Sequence, residues 1–263
     1  MPTITSKDSS TIAYEKAGHG PSLILVNGAL SFRKSRGVKE LVDKLAQDFT
    51  VTSYDRRGRG ESGDASSYEV ENEIQDIEAI IKEAGEPAFL FGVSSGAALA
   101  LLTAEKLGAK NVKKIALYEP PFGFADVLGR KEYDEEKKKI NELVEANKPG
   151  DAIAVFFESL GTKPEQIEGM KQSPDWKDMK SVGHTLVYDF EILGNGSIPV
   201  DHAKNVKVPT LVMDGEKSLE FMHTATKTLA KNIPDAQHKT LKGQTHELSP
   251  EIVAPVLKAF FKG

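Results

Sequence analysis

Five short apolar runs recur along this chain: Ser22–Val26, Val51–Tyr54, Ala88–Phe91, Lys114–Tyr118 and Thr210–Met213. Each is only four or five residues long and rich in aliphatic or β-branched side chains, which suits a strand better than a helix. The runs are nearly continuous rather than alternating, the pattern of strands buried on both faces of a parallel sheet. Helical stripes separate them. Val38, Leu41, Val42, Leu45 and Phe49 follow one helical face, and Val70, Ile74, Ile77 and Ile81 follow another, with Gly85 placed to end that helix. A third stripe, Ser249–Phe261, has Ser249 at the N-cap and Pro250 at the first helical position. Ile252, Val253, Val256, Leu257 and Phe260 are expected to face the sheet, with Pro255 bending the helix. Thr3–Ser6 and Thr11–Glu15 read as an edge hairpin, and Gln237–Leu241 as a last strand. The expected fold class is α/β.

The alternation stops after Pro120-Pro121. From about Phe122 to Lys204 no segment reads as a strand. Lys131–Asn147, Asp151–Leu160, Lys163–Ser173 and Trp176–Leu193 read as helices. The expected organisation is a core of residues 1–121, a helical cap of residues 122–204, and a second core segment of residues 205–263.

Charge narrows the partners. A net charge of −5 argues against a nucleic-acid binder. The absence of cysteine excludes thiol nucleophiles, disulfides and thiolate metal sites. Met1–Asp8 lacks the basic-then-apolar plan of a signal peptide. No apolar run approaches the roughly 18 residues of a membrane span. The expectation is a cytoplasmic monomer or homodimer that binds a small molecule, without nucleic acid or membrane.

Chemistry concentrates at Gly92-Val93-Ser94-Ser95-Gly96. An apolar strand precedes this segment and the Ala-rich stretch Ala97–Leu101 follows it. A G-x-S-x-G turn between strand and helix exposes its serine at a tight bend, where the glycines relieve crowding. Ser94 is therefore the candidate nucleophile. The helix start leaves backbone N–H groups unpaired, so the Ser95 N–H is a candidate oxyanion donor. A serine hydroxyl needs a base to take its proton, and imidazole suits that near neutral pH. Among the six histidines, His246 follows the last expected strand in Gly243-Gln244-Thr245-His246. His184, in the expected cap, reads better as a structural histidine.

With these residues in place, the chain resembles the α/β-hydrolase superfamily along nearly its whole length. Tyr54-Asp55-Arg56-Arg57-Gly58-Arg59-Gly60-Glu61-Ser62 and Pro209–Gly215 are similar to further family segments. The closest resemblance is to small bacterial hydrolases carrying Leu-Tyr-Glu-Pro-Pro after the sixth strand, here Leu117–Pro121. The resemblance implies that the loop Asn27-Gly28-Ala29 supplies a second oxyanion donor, the backbone N–H of Ala29. Asn27 stands where the family usually has histidine.

The acid departs from the usual pattern. Many family members carry it three residues after the glycine that ends the seventh strand; here that position is Ser218, which reads instead as a helix N-cap. Some members, including certain lactonases and haloalkane dehalogenases, place the acid after the sixth strand. The resemblance thus implies Glu119, with Asp214 as the alternative and Glu216 and Glu220 nearby. The run Arg56-Arg57-Gly58-Arg59 could suggest phosphate binding but reads as a structural loop. Phe122, Phe124, Phe156, Phe157, Trp176, Tyr188 and Phe190 lie in or beside the cap, where some would line an apolar pocket.

The expected activity is hydrolysis of a small ester or lactone through an acyl-enzyme on Ser94, without metal or organic cofactor. A cofactor-free haloperoxidase, a C–C bond hydrolase or a lyase would use the same fold. A ligand-binding protein with a vestigial site is the alternative from another class.

Overall fold

A computed structural model describes residues 2–65 and 67–263. The strands are β1 (Thr3–Thr5), β2 (Thr11–Ala17), β3 (Ser22–Val26), β4 (Thr50–Tyr54), β5 (Ala88–Val93), β6 (Val112–Tyr118), β7 (Thr210–Gly215) and β8 (Ala236–Leu241). They form one sheet in the order β1-β2-β4-β3-β5-β6-β7-β8. The β1–β2 hairpin is antiparallel and β2 pairs antiparallel with β4; β4 through β8 are parallel.

Side-chain alternation explains why these strands are apolar throughout. Ile24, Val26, Leu90, Ile115, Leu117 and Val212 face one core, with α2 (Val70–Ala84), α3 (Ser95–Leu107) and α11 (Glu220–Asn232) packed over it. Leu23, Leu25, Phe89, Phe91, Ala116 and Met213 face the other, covered by α1 (Arg36–Leu45) and α12 (Pro250–Lys262). Successive residues point to opposite faces, so both sets must be apolar. Phe49 and Phe261 meet edge-on at 6.1 Å and Phe261 stacks on Phe89 at 4.8 Å, contacts worth about 0.5–1.5 kcal/mol each beyond burial.

Three local expectations change. Ile252 is 43% exposed, while Val253, Ala254, Leu257 and Phe261 are buried. Ser249 makes no side-chain cap bond. The stretch 176–193 is not one helix: α8 (Trp176–Val182) and α9 (Leu186–Leu193) are separated by a tight turn at Gly183–Thr185. A Cβ on Gly183 would lie 2.9 Å from Ile153 and 3.0 Å from the Pro149 carbonyl, so α6 (Pro149–Ser159) approaches too closely for any larger residue.

Between β6 and β7 the chain is helical, with no strand among the described residues. Besides α6, α8 and α9 it contains α4 (Phe124–Leu128), α5 (Arg130–Glu145), α7 (Pro164–Lys171) and α10 (Val200–Asn205). This insertion forms a cap with its own small core, in which Tyr133, Ile140, Ile153, Leu186 and Phe190 are buried.

The strand order places the site. From β3 the chain goes to β4 on one side, then returns to β5 on the other. At such a reversal the loops leaving adjacent carboxyl ends diverge and open a crevice. The residues after β3 and β5 are Asn27-Gly28 and Ser94.

Candidate active site

Ser94 occupies the turn between β5 and α3 with φ 55° and ψ −130°. A non-glycine residue there costs on the order of 1–3 kcal/mol and persists only where its surroundings hold it. Its surroundings do: the Ser94 N–H donates to the Tyr118 carbonyl at 2.9 Å. A Cβ on Gly92 would lie 2.4 Å from the Gly96 carbonyl, and one on Gly96 would lie 2.1 Å from the Val26 carbonyl. Only glycine permits that approach. Gly28 is equally confined, since a Cβ there would sit 2.9 Å from the Ser94 Cβ. The loop after β3 therefore packs directly on Ser94.

Glu119 follows β6 and, like Ser94, has a positive φ, 48°. Its N–H donates to the Met213 carbonyl at 3.0 Å, and its side chain is fully buried. Oε2 lies 2.7 Å from His246 Nδ1. Oε1 accepts from the Gly215 N–H at 2.6 Å and from the Ser218 hydroxyl. Ser218 is thus not the N-cap expected from sequence: α11 starts at Glu220 after Leu219, and the Ser218 hydroxyl turns to Glu119 instead. A neighbouring bond steadies the histidine loop. The Tyr118 hydroxyl donates to the Thr245 carbonyl at 2.5 Å, so the residue before Glu119 holds the residue before His246.

Asp214 is placed elsewhere. It is fully buried, and its Oδ2 lies 2.9 Å from His223 Nδ1, 3.1 Å from His238 Nε2 and 2.9 Å from the Thr226 hydroxyl. Burial opposes its ionisation, but hydrogen bonding from Thr240, His223 and Thr226, with the nearby His238, holds its carboxyl below the usual carboxylate range. Alternation along β7 accounts for its direction. Asp214 shares a face with Val212, toward α11, and makes no bond to His246.

Ser94, His246, Gly28, Ala29, Ser95 and Ser218 line one cavity of about 740 Å³. Phe124, Phe156, Phe157 and Phe190 of the cap line it too, whereas Phe122, Trp176 and Tyr188 do not. His246 is 43% exposed at its side chain, while its partner Glu119 is buried. His184 lies outside the cavity wall, 3.5 Å from Asp64 and edge-on to Tyr188. Among the described residues no cluster of three His, Cys, Asp or Glu side chains could hold a metal ion. No helix among them is long and apolar enough to cross a membrane.

Asp189 in the cavity wall belongs to a buried charge cluster that the sequence reading missed. Arg56 pairs with Glu73 of α2 through two bonds, at 2.7 and 2.6 Å, and with Asp189 of α9 at 2.7 Å. Arg59 meets both Asp189 oxygens, at 3.0 and 2.8 Å, and its Nε donates to Thr185 at 3.0 Å. The Ser95 hydroxyl also donates to Asp189, at 2.7 Å. Arg57 is held separately by Asp76 and Asp8. The arginine run is therefore filled by internal carboxylates and has no vacancy for phosphate. A signal existed: Asp189 interrupts the apolar stretch Leu186–Phe190, as a buried counter-ion would.

Burial pushes the Asp189 carboxyl up, but Arg59 and Arg56 outweigh it and hold the group below the usual carboxylate range. Its folded value thus lies below the unfolded one, near 3.9. The stabilisation is complete above that pH and is lost as pH falls through the folded value. Breaking such a pair costs about 3–5 kcal/mol. Asp189→Asn should therefore melt well below the wild type at pH 7, by on the order of 10 °C. The two melting curves should converge on acidification below about pH 4.

The family described as Hydrolase_4, "Serine aminopeptidase, S33", matches residues 21–252. An alpha/beta hydrolase from Sphaerobacter thermophilus is 39% identical, with 99% of this chain and 100% of that chain covered and a TM-score of 0.87. The enol-lactonase from Burkholderia xenovorans shares the fold at 19% identity, with both chains covered completely and a TM-score of 0.74. A curated relative, the uncharacterized hydrolase YraK of Bacillus subtilis, is 34% identical over 96 residues, and the match spans 35% of each chain. The elbow, the sheet order and the family match lead to one conclusion: the chain belongs to the serine aminopeptidase (Hydrolase_4) family of α/β-hydrolases and is a serine-hydrolase-type enzyme.

Proposed function

We propose that this enzyme cleaves small apolar esters or lactones through an acyl-enzyme on Ser94, with His246 as base and Glu119 as the supporting acid. The observation that carries the reading is a serine and a histidine in one cavity wall, the histidine tied to a buried carboxylate behind it. Ser94 and His246 both face the cavity, and His246 Nδ1 is anchored 2.7 Å from the buried Glu119. A carboxylate only accepts, so Nδ1 keeps the proton and Nε2 keeps the lone pair a base requires.

His246 Nε2 takes the Ser94 hydroxyl proton as Oγ attacks the carbonyl carbon. The oxyanion is held by the Ala29 and Ser95 N–H groups. Collapse breaks the C–O bond, and the alkoxide leaves with the proton from His246; in a lactone the new alcohol stays tethered to the acyl group. His246 then deprotonates a water, whose oxygen attacks the acyl carbon; the acyl–Oγ bond breaks, Ser94 takes the proton back from His246, and the carboxylic acid leaves. The aromatic cap wall favours an apolar acyl or ring group. The enol-lactonase from Burkholderia xenovorans supports the lactone branch by analogy of fold alone. A core of residues 1–121 and 205–263 around a cap of residues 122–204, in a cytoplasmic monomer or homodimer, is part of the same proposal.

A fluorophosphonate probe is expected to label Ser94 in the intact protein. Absence of labelling would overturn the reading. Across a panel of esters, lactones and peracids, turnover should concentrate on apolar esters and lactones. Turnover confined to forming peracids from carboxylic acids and added hydrogen peroxide would replace hydrolysis with haloperoxidase chemistry.

A further inference from the structure

The buried arginines contact more than carboxylates. Arg59 Nη1 donates to the Gly28 carbonyl at 2.5 Å and to the Ser31 carbonyl at 3.2 Å. Arg56 Nη1 donates to the Asn27 carbonyl at 3.3 Å. The acceptors, at Asn27, Gly28 and Ser31, are main-chain carbonyls of the loop packed against Ser94.

The Gly28 carbonyl belongs to the same peptide unit as the Ala29 N–H. A trans peptide is planar, so its C=O and N–H point in opposite directions. Tying the Gly28 oxygen to Arg59 therefore aims the Ala29 N–H the other way. Ala29 lines the cavity, and among the described residues no acceptor takes its N–H. Without the guanidinium, the Gly28 carbonyl would be a buried acceptor lacking this partner, and rotation of the peptide would turn the N–H out of place.

Arg59 is in turn held by the cap. Asp189 of α9 binds it through both oxygens, and Thr185 binds its Nε. The same Asp189 accepts from the Ser95 hydroxyl at the start of α3. One cap carboxylate thus touches the supports of both oxyanion donors. All of these side chains are buried.

We propose that Arg59 is a positioning residue for the oxyanion hole, setting the Gly28–Ala29 peptide, and that Asp189 and Thr185 lock it there from the cap. The inference rests on the acyl-enzyme reading above and adds a coupling between cap seating and transition-state stabilisation. Substrate can bind without it; the oxyanion would lose one of its two donors.

The test compares p-nitrophenyl acetate with its thiono analogue, in which sulfur replaces the carbonyl oxygen and accepts hydrogen bonds poorly. An enzyme that depends on its oxyanion hole prefers the oxygen ester strongly. Arg59→Lys cannot span Gly28, Thr185 and Asp189 together. It should lower kcat on the oxygen ester by about 10²-fold, the scale of losing one donor, with KM little changed. The oxygen-to-sulfur rate ratio should fall by at least about tenfold, because the sulfur ester had less to lose. Thr185→Val, nearly isosteric, should shift both readings in the same direction by a smaller factor, and it decides the matter if Arg59→Lys does not fold. A purely structural role would reduce both esters equally. An unchanged ratio in the folded variants, with Ser94→Ala inactive, would overturn the proposal and leave the acyl-enzyme reading standing. Full activity in Ser94→Ala would instead remove the reading on which it rests.

Discussion

Ser94→Ala is expected to lower turnover about 10⁶-fold, the scale seen when the serine of a comparable triad is removed. The loss should fall on kcat. Ser94 contributes one hydroxyl to a wall that is mostly apolar, so affinity for a product-like carboxylic acid should change little. Stability should also hold. Alanine fits the turn as serine does, and the φ of 55° is imposed by the Gly92, Gly96 and Gly28 contacts rather than by the hydroxyl. Residual activity should remain above the uncatalysed rate, because the backbone donors survive the substitution. Stopped-flow release of p-nitrophenol should show a burst in the wild type, if deacylation is the slower step, and no burst in the variant. Retained turnover would mean that a different group attacks the substrate.

Glu119→Gln is the second large effect, about 10⁴-fold in kcat. The side chain keeps its shape, but its hydrogen-bond options change. Gly215 N–H and the Ser218 hydroxyl both donate to one oxygen, so the Gln carbonyl stays on that side. The amide NH₂ then faces His246 Nδ1. Nδ1 must accept, which moves the imidazole proton to Nε2 and removes the base. Asp214→Asn should stay within a few-fold of wild type, since its bonds go to His223, His238 and Thr226. Comparable losses in both variants, or loss in Asp214→Asn alone, would move the acid role to Asp214. Ser218→Asp in the Glu119→Gln background should recover part of the lost turnover, because position 218 already reaches the Glu119 carboxylate.

The pairing of these residues illustrates two kinds of information. Ser94 lies within one strand-turn-helix unit of fourteen residues, Ala88–Leu101, whose local pattern specifies its own geometry. The apolar runs likewise announced their strands, because two-sided burial demands continuous hydrophobicity. Glu119 could be ranked over Asp214 only through a family resemblance, and the packing explains the difference. Along β7 the alternation that puts Val212 into one core turns Asp214 the same way, toward α11, while Gly215 lets the 244–246 loop close in. The sequence contains that alternation, yet not the knowledge of which face lies beside β6.

The least legible feature is the cap-to-hole connection. Asp189 contacts Ser95 across 94 positions and Arg59 across 130. No local periodicity encodes such a pair, and the arginine run looked merely structural. The sequence by itself determined the sheet, the elbow and the position of Ser94, because backbone conformation and apolar burial are set by neighbours within a few residues. Only the tertiary structure decided that Ser218 serves Glu119, that Asp214 turns away, and that Arg59 and Asp189 brace the loop beside Ser94. Those outcomes depend on where buried charges find partners, and a charge removed from water must be satisfied by whatever the whole fold brings to it.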